Sequence, residues 1–242
     1  MCILMFFMSC SSAKPVDDNP EVVKPPVEEG FVSEIGPMFD YAPESSGIVL
    51  SDGYIFTIND SGNSSIIYKV NPSDGSLVQS ISVNNYDNRD WEDIAADSDY
   101  IYIGDFGNNS GTRTDLRVLK ISKSQFINNT ASTVSVSAEA IEFSYSEQTS
   151  FISSSTHNFD CESFISKEDN LYLFTKNRGD NKTRAYKLSK EPGQYSLTTL
   201  TSYDVNGLVT GGDYNAQTNE LVLIGYAASM HTNSFVCMFS NF

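Results

Sequence analysis

Four acidic residues, Glu44, Glu92, Glu162 and Asp213, recur at one point of a loosely repeated pattern, separated by 48, 70 and 51 residues. Carboxylates brought to a common place supply hard oxygen ligands, the donor set that suits calcium rather than a soft metal. A second polar set trails them and includes Asn59, Asp60 and Asp105, so the candidate metal ligands are Glu44, Asn59, Asp60, Glu92, Asp105, Glu162 and Asp213. Lys176, Asn177, Arg178 and Trp91 stand beside them as candidate ligand contacts. The chain has two histidines. His157 and His231 are the candidate general bases for a reaction in which a bound cation polarises an ester carbonyl. Each residue also has a plainer use. An acid at a strand start can simply accept backbone N–H groups, NDSGN and DFGNN can be tight turns, and Trp91 can be packing.

These residues need elements that bring them together, and the repeat supplies them. PESSGIVLSDGYIFTIND, RDWEDIAADSDYIYIGDF, FDCESFISKEDNLYLFTK and VTGGDYNAQTNELVLIGY each run from an acidic residue or short polar start through a strand, a polar turn and an apolar-aromatic strand. A third strand follows in each copy. Periods of this size imply four-stranded antiparallel blades arranged as a propeller. SLVQSISV, EAIEFSYS and YSLTTLTSYD read as the fourth strands of three blades. Antiparallel pairing returns the end of each second strand beside the start of the first. Glu44 is therefore expected beside Asn59 and Asp60, Glu92 beside Asp105, and Glu162 beside Lys176 and Asn177, all on one face around the channel mouth.

The expected fold is all-β: a β-propeller with four recognisable blades, read as a truncated five- or six-bladed propeller. The competing arrangement is a four-bladed ring closed by pairing FVSEIG, at 31–36, with the last blade. The 242 residues carry 19% charged side chains and no long helical periodicity, which fits one all-β domain. Acidic residues outnumber basic ones 31 to 15, for a net charge of −16. Such a field repels phosphate backbones, so nucleic acid is excluded as a partner. There is no HExxH, CxxC, GxSxG, Walker loop or dinucleotide fingerprint.

The first ten residues, MCILMFFMSC, are apolar up to Cys10 and too short to span a bilayer. They read as a lipoprotein signal segment, with Cys10 the acylated lipid anchor. An ordinary cleaved signal peptide is the alternative. Residues 11–30 carry Pro15, Pro20, Pro25 and Pro26 among acidic residues and form an extended tether. Residues 31–242 form the propeller domain. Cys161 and Cys237 are either buried thiols or one bridge.

PESSGI with INDSGN, DWEDIA with GDFGNN, and DCESFI together resemble the signatures of SdiA-regulated-like and NHL-type six-bladed propellers, including lipid-anchored members from Bacteroidetes. The run CSS followed by Asp17 and Asp18 resembles the export signal of surface lipoproteins in the same group. The resemblance spans about residues 40–226 and implies an outer-membrane address. It is similar in fold to gluconolactonases and paraoxonases, which implies calcium in the central channel.

Two functions follow as expectations. The first is a surface binding module that holds an extracellular glycan, peptide or protein through its blade-top loops, attached to the membrane by the lipid anchor alone. The second is a calcium-dependent hydrolase of the lactonase or esterase type, with Glu44, Asn59, Asp105 and Glu162 on the metal and His157 or His231 as base.

Overall fold

In a computed structural model of the chain, residues 40–227 and 233–242 are described. Cys10, the tether, the FVSEIG segment and His231 lie outside the described residues. The chain is all-β, with four blades arranged as a β-propeller. Blade 1 holds β1 (Ser45–Ser51), β2 (Tyr54–Asn59), β3 (Ile66–Val70) and β4 (Leu77–Val83). Blade 2 holds β5 (Trp91–Ala96), β6 (Tyr100–Asp105) and β7 (Arg117–Ser122); after β8 (Thr133–Val136), its fourth strand is β9 (Glu139–Tyr145). Blade 3 holds β10 (Cys161–Lys167), β11 (Asn170–Thr175) and β12 (Thr183–Ser189); after β13 (Gly193–Leu197) comes its short fourth strand β14 (Thr201–Tyr203). Blade 4 holds β15 (Leu208–Asn215), β16 (Glu220–Tyr226) and β17 (Ser234–Ser240).

Local chemistry explains the hairpins. Asp52 and Gly53 both take positive φ, 51° and 76°, the pair of conformations a two-residue hairpin turn demands. Apolar side chains then alternate along each strand, and each sheet buries a face against the next blade. Phe56, Ile58 and Ile67 of blade 1 pack with Ile94, Ile103 and Leu119 of blade 2. Tyr102 and Phe143 of blade 2 pack with Phe164 and Tyr186 of blade 3, and Phe174 of blade 3 with Leu221 and Leu223 of blade 4. Trp91 is wholly buried in the first of these layers.

YSLTTLTSYD is not one strand. Its first half is β13, which leaves blade 3 and runs parallel to β9 on the rim of blade 2; its second half is β14, which stays with blade 3. In the same way β8 runs parallel to β4 on the rim of blade 1. Each arm covers the outer edge of the preceding blade, where a bare row of N–H and C=O groups would otherwise face solvent.

The four innermost strands share one irregularity. Ser45 pairs with Asn59 and Gly47 with Ile58, leaving Ser46 as an extra, bulged residue. Glu92, Glu162 and Thr210 are the extra residues of β5, β10 and β15. Bulges of this kind re-aim side chains at strand ends. The structurally equivalent set is therefore Ser46, Glu92, Glu162 and Thr210. Glu44 lies two residues before its bulge, in line with Asp90 and Asp160, and Asp213 lies three residues beyond the bulge of β15.

Candidate functional site

The bulge at the head of β5 turns the Glu92 side chain toward the loops that follow β2 and precede β5. One carboxylate oxygen each from Asp60, Asp90 and Glu92 lie within 4.8 Å of one another. Glu92 is 8% exposed and joins no ion pair among the described residues. Burial pushes its carboxyl well above the usual range, and the neighbouring charges of Glu162, Asp60, Asp90 and Asp160 push it further. Asp90 is raised for the same leading reason, burial. Gly107 makes room for the group: a Cβ there would stand 2.2 Å from Glu92 Oε1 and 2.4 Å from Asp90 Oδ2.

The adjoining half of the mouth is charge-paired. Lys176 Nζ contacts Glu162 Oε1 at 2.9 Å, and both side chains are nearly buried. Burial and Asp160 push the Glu162 carboxyl up, while Lys176 pulls it down. Burial lowers Lys176, yet Glu162 outweighs it and the ammonium ends above its ordinary value. The 2.9 Å contact favours the ionised form of both partners, and burial is what works against it at Glu162. Arg178 pairs with the fully buried Asp160 and donates through Nη2 to Asn109 Oδ1 at 2.6 Å. Asp160 also accepts the Asn108 N–H at 2.8 Å, joining the mouth loops of blades 2 and 3.

Several residues expected at the site are employed elsewhere. Asp105 is fully buried and held by Arg113 Nη2 at 3.1 Å and Arg117 Nη2 at 2.7 Å, so its charge is spent within blade 2. Asn59 caps blade 1, accepting the Glu44 N–H at 3.3 Å and donating to Tyr41 O at 3.1 Å. The Glu44 carboxylate is exposed and accepts from Asn63 Nδ2 at 2.6 Å. Asp213 lines a separate cleft of about 300 Å³ between β1 and β15, and its Oδ1 accepts the Tyr214 N–H at 2.8 Å. Trp91 is core and presents nothing to a ligand, because all of its surface is covered. Asn177 is fully buried, and neither amide atom has a hydrogen-bond partner among the described residues.

His157 serves its loop. Nδ1 accepts the Phe159 N–H at 3.1 Å, which leaves Nε2 to donate to Asn109 O at 3.1 Å. Both ring nitrogens are thus in use, and neither is placed to take a proton from a substrate.

Sequence reasoning missed Asp90, Arg113 and Arg117. The signal for Asp90 was present: Asp90-Trp91-Glu92 and Asp160-Cys161-Glu162 repeat the same D-x-E spacing in blades 2 and 3. Aligning on Glu44 obscured it.

No family model matches the chain, and no curated protein does. Among solved structures, a β-xylosidase, RS223, is 11% identical with a TM-score of 0.52, covering 88% of this chain and 77% of its own. A putative 6-phosphogluconolactonase from Bacteroides uniformis ATCC 8492 is 11% identical with a TM-score of 0.43, over 82% of this chain. Hydrazine synthase from Kuenenia stuttgartiensis is 12% identical with a TM-score of 0.45, over 87%. The chain spans 54% of the lactonase and 49% of the synthase. The likeness to the β-xylosidase, at 11% identity, supports the propeller fold and not the SdiA-regulated-like or NHL-type family.

Proposed function

We propose that this chain is a surface-anchored binding propeller whose mouth takes a calcium ion on Asp60, Asp90 and Glu92. The reading rests on one observation above others: Glu92 is nearly buried, joins no ion pair among the described residues, and sits in a tight group with two further carboxylates. A buried carboxylate without a partner is costly, and a bound cation removes that cost. Oxygens on opposite sides of a calcium ion, each bound at about 2.3–2.6 Å, are about 4.6–5.2 Å apart. A group spread over no more than 4.8 Å meets that limit without movement of the strands. Lys176 and Arg178, at the adjoining half of the mouth, supply polar contacts for an extracellular ligand. Cys10 and the tether over 11–30 would hold the domain at the outer membrane.

The binding role is preferred over hydrolysis with His157 as base, because His157 has both ring nitrogens engaged. Titration calorimetry with calcium tests the proposal. One ion per chain is expected, with Glu92→Gln abolishing the heat and Asp213→Asn leaving it unchanged. Equal binding by wild type and Glu92→Gln would remove the site from the mouth.

A further inference from the structure

Blade 4 differs from the other three in its outer strand. β4, β9 and β14 each lie outside a third strand, whereas β17 is the last strand of its sheet among the described residues. Natural edges are usually protected by charge, proline, bulges or shortness. β17 has none of these. It runs seven residues, SFVCMFS, without charge or proline, and pairs with β16 without a register shift from Ser234 to Ser240.

The strand also reads almost the same in both directions: Ser234 mirrors Ser240, Phe235 mirrors Phe239 and Val236 mirrors Met238 about Cys237. We infer that β17 pairs antiparallel with β17 of a second copy of this chain, about a two-fold axis at Cys237. A two-fold interface must be self-complementary, and this sequence is.

The backbone agrees with that register. Ala227 N–H donates to Asn233 O at 2.8 Å, so Asn233 faces β16, and by strand alternation so do Phe235, Cys237 and Phe239. The N–H and C=O groups of Ser234, Val236, Met238 and Ser240 therefore point away from β16, to the open edge. Centring on Cys237 sets Val236 opposite Met238 of the second copy and Ser234 opposite Ser240, all outward-pointing, so every pair that must exchange hydrogen bonds can. A centre shifted by half a residue opposes inward and outward groups and fails. Phe235 then meets Phe239 of the second copy as a cross-strand aromatic pair, and the β15–β16–β17 ladder continues unbroken into its mate.

Sedimentation of the full chain across the micromolar range tests the inference, with mild oxidation and peptide mapping as a second readout. The wild type is expected to dimerise reversibly, more tightly at high salt because each copy carries a net charge of −16. Non-hydrogen-bonded partners on antiparallel strands stand about 4.5 Å apart at Cα, within disulfide reach. Oxidation should therefore join Cys237 to Cys237. Met238→Pro removes an N–H that faces solvent in the monomer, and Met238→Lys adds a charge at a position 65% exposed. Each should weaken the dimer about tenfold or more while the melting temperature at low concentration stays near wild type. A chain that stays monomeric, a dimer indifferent to both variants, or a monomer whose β17 edge amides resist hydrogen exchange through pairing with its own 31–36 segment would each overturn the inference.

Discussion

Asp93 Oδ2 accepts the backbone N–H of Phe164 at 3.0 Å, tying the innermost strand of blade 2 to that of blade 3. Its other oxygen accepts the Ile94 N–H at 2.9 Å. Gly47 lets the carboxyl approach from blade 1, since a Cβ there would stand 2.8 Å from Asp93 Oδ1. Asp93→Ala should leave the Phe164 N–H buried and unanswered, at about 1–3 kcal/mol. Denaturant titration checks this, and Asp93→Asn, which keeps a carbonyl oxygen, should lose less.

The same residue predicts how stability varies with pH. Burial, reinforced by the charge of Asp213, pushes the Asp93 carboxyl from 3.8 to about 8, although the Phe164 and Ile94 N–H groups oppose this. Between those values the native chain holds a proton that the unfolded chain has released, so stability falls as pH rises through that window and is flat below about pH 4. Glu92 acts in the same direction. Unfolding free energy measured by denaturant titration from pH 5 to pH 8 should decline, by up to about 1.4 kcal/mol per pH unit for each such group. Asp93→Asn should flatten the decline, and an unchanged slope would refute the assignment.

Asp105 and Asp60 should respond oppositely to loss of charge. Asp105→Asn leaves Arg113 and Arg117 without their buried counter-ion, a change that typically costs about 3–5 kcal/mol. Asp60→Asn relieves repulsion in the Asp60, Asp90 and Glu92 group and should raise the melting temperature in calcium-free buffer. Paired thermal melts separate the two cases.

Labelling with a radioactive fatty acid tests the membrane address. The wild type should take up label and Cys10→Ala should not; equal labelling would end the lipoprotein assignment.

The blades were legible because strand alternation and turn residues such as Asp52-Gly53 declare themselves locally. The two arms were not, because β8 and β13 belong by sequence to one blade and by hydrogen bonding to its predecessor. The site was half legible. Glu92 and Glu162 stand at matching bulges, but Glu44 lies two residues ahead of the bulge of its own strand, and the matching place is filled by Ser46, which carries no acid to mark it. Asp105 could not be told from a ligand, since its arginine partners lie 8 and 12 residues away, within and at the far end of the loop from β6 to β7.

Thermal unfolding with and without calcium, for wild type and for Glu92→Gln, bears most directly on the cation site. A cation that binds only the folded chain stabilises it by about 2.7 kcal/mol at a hundred times its dissociation constant. Millimolar calcium should therefore raise the melting temperature of the wild type, and Glu92→Gln should remove most of that rise. Wild type unmoved by calcium, with Glu92→Gln melting higher in plain buffer, would show the cluster to be a repulsive patch and contradict the proposed site.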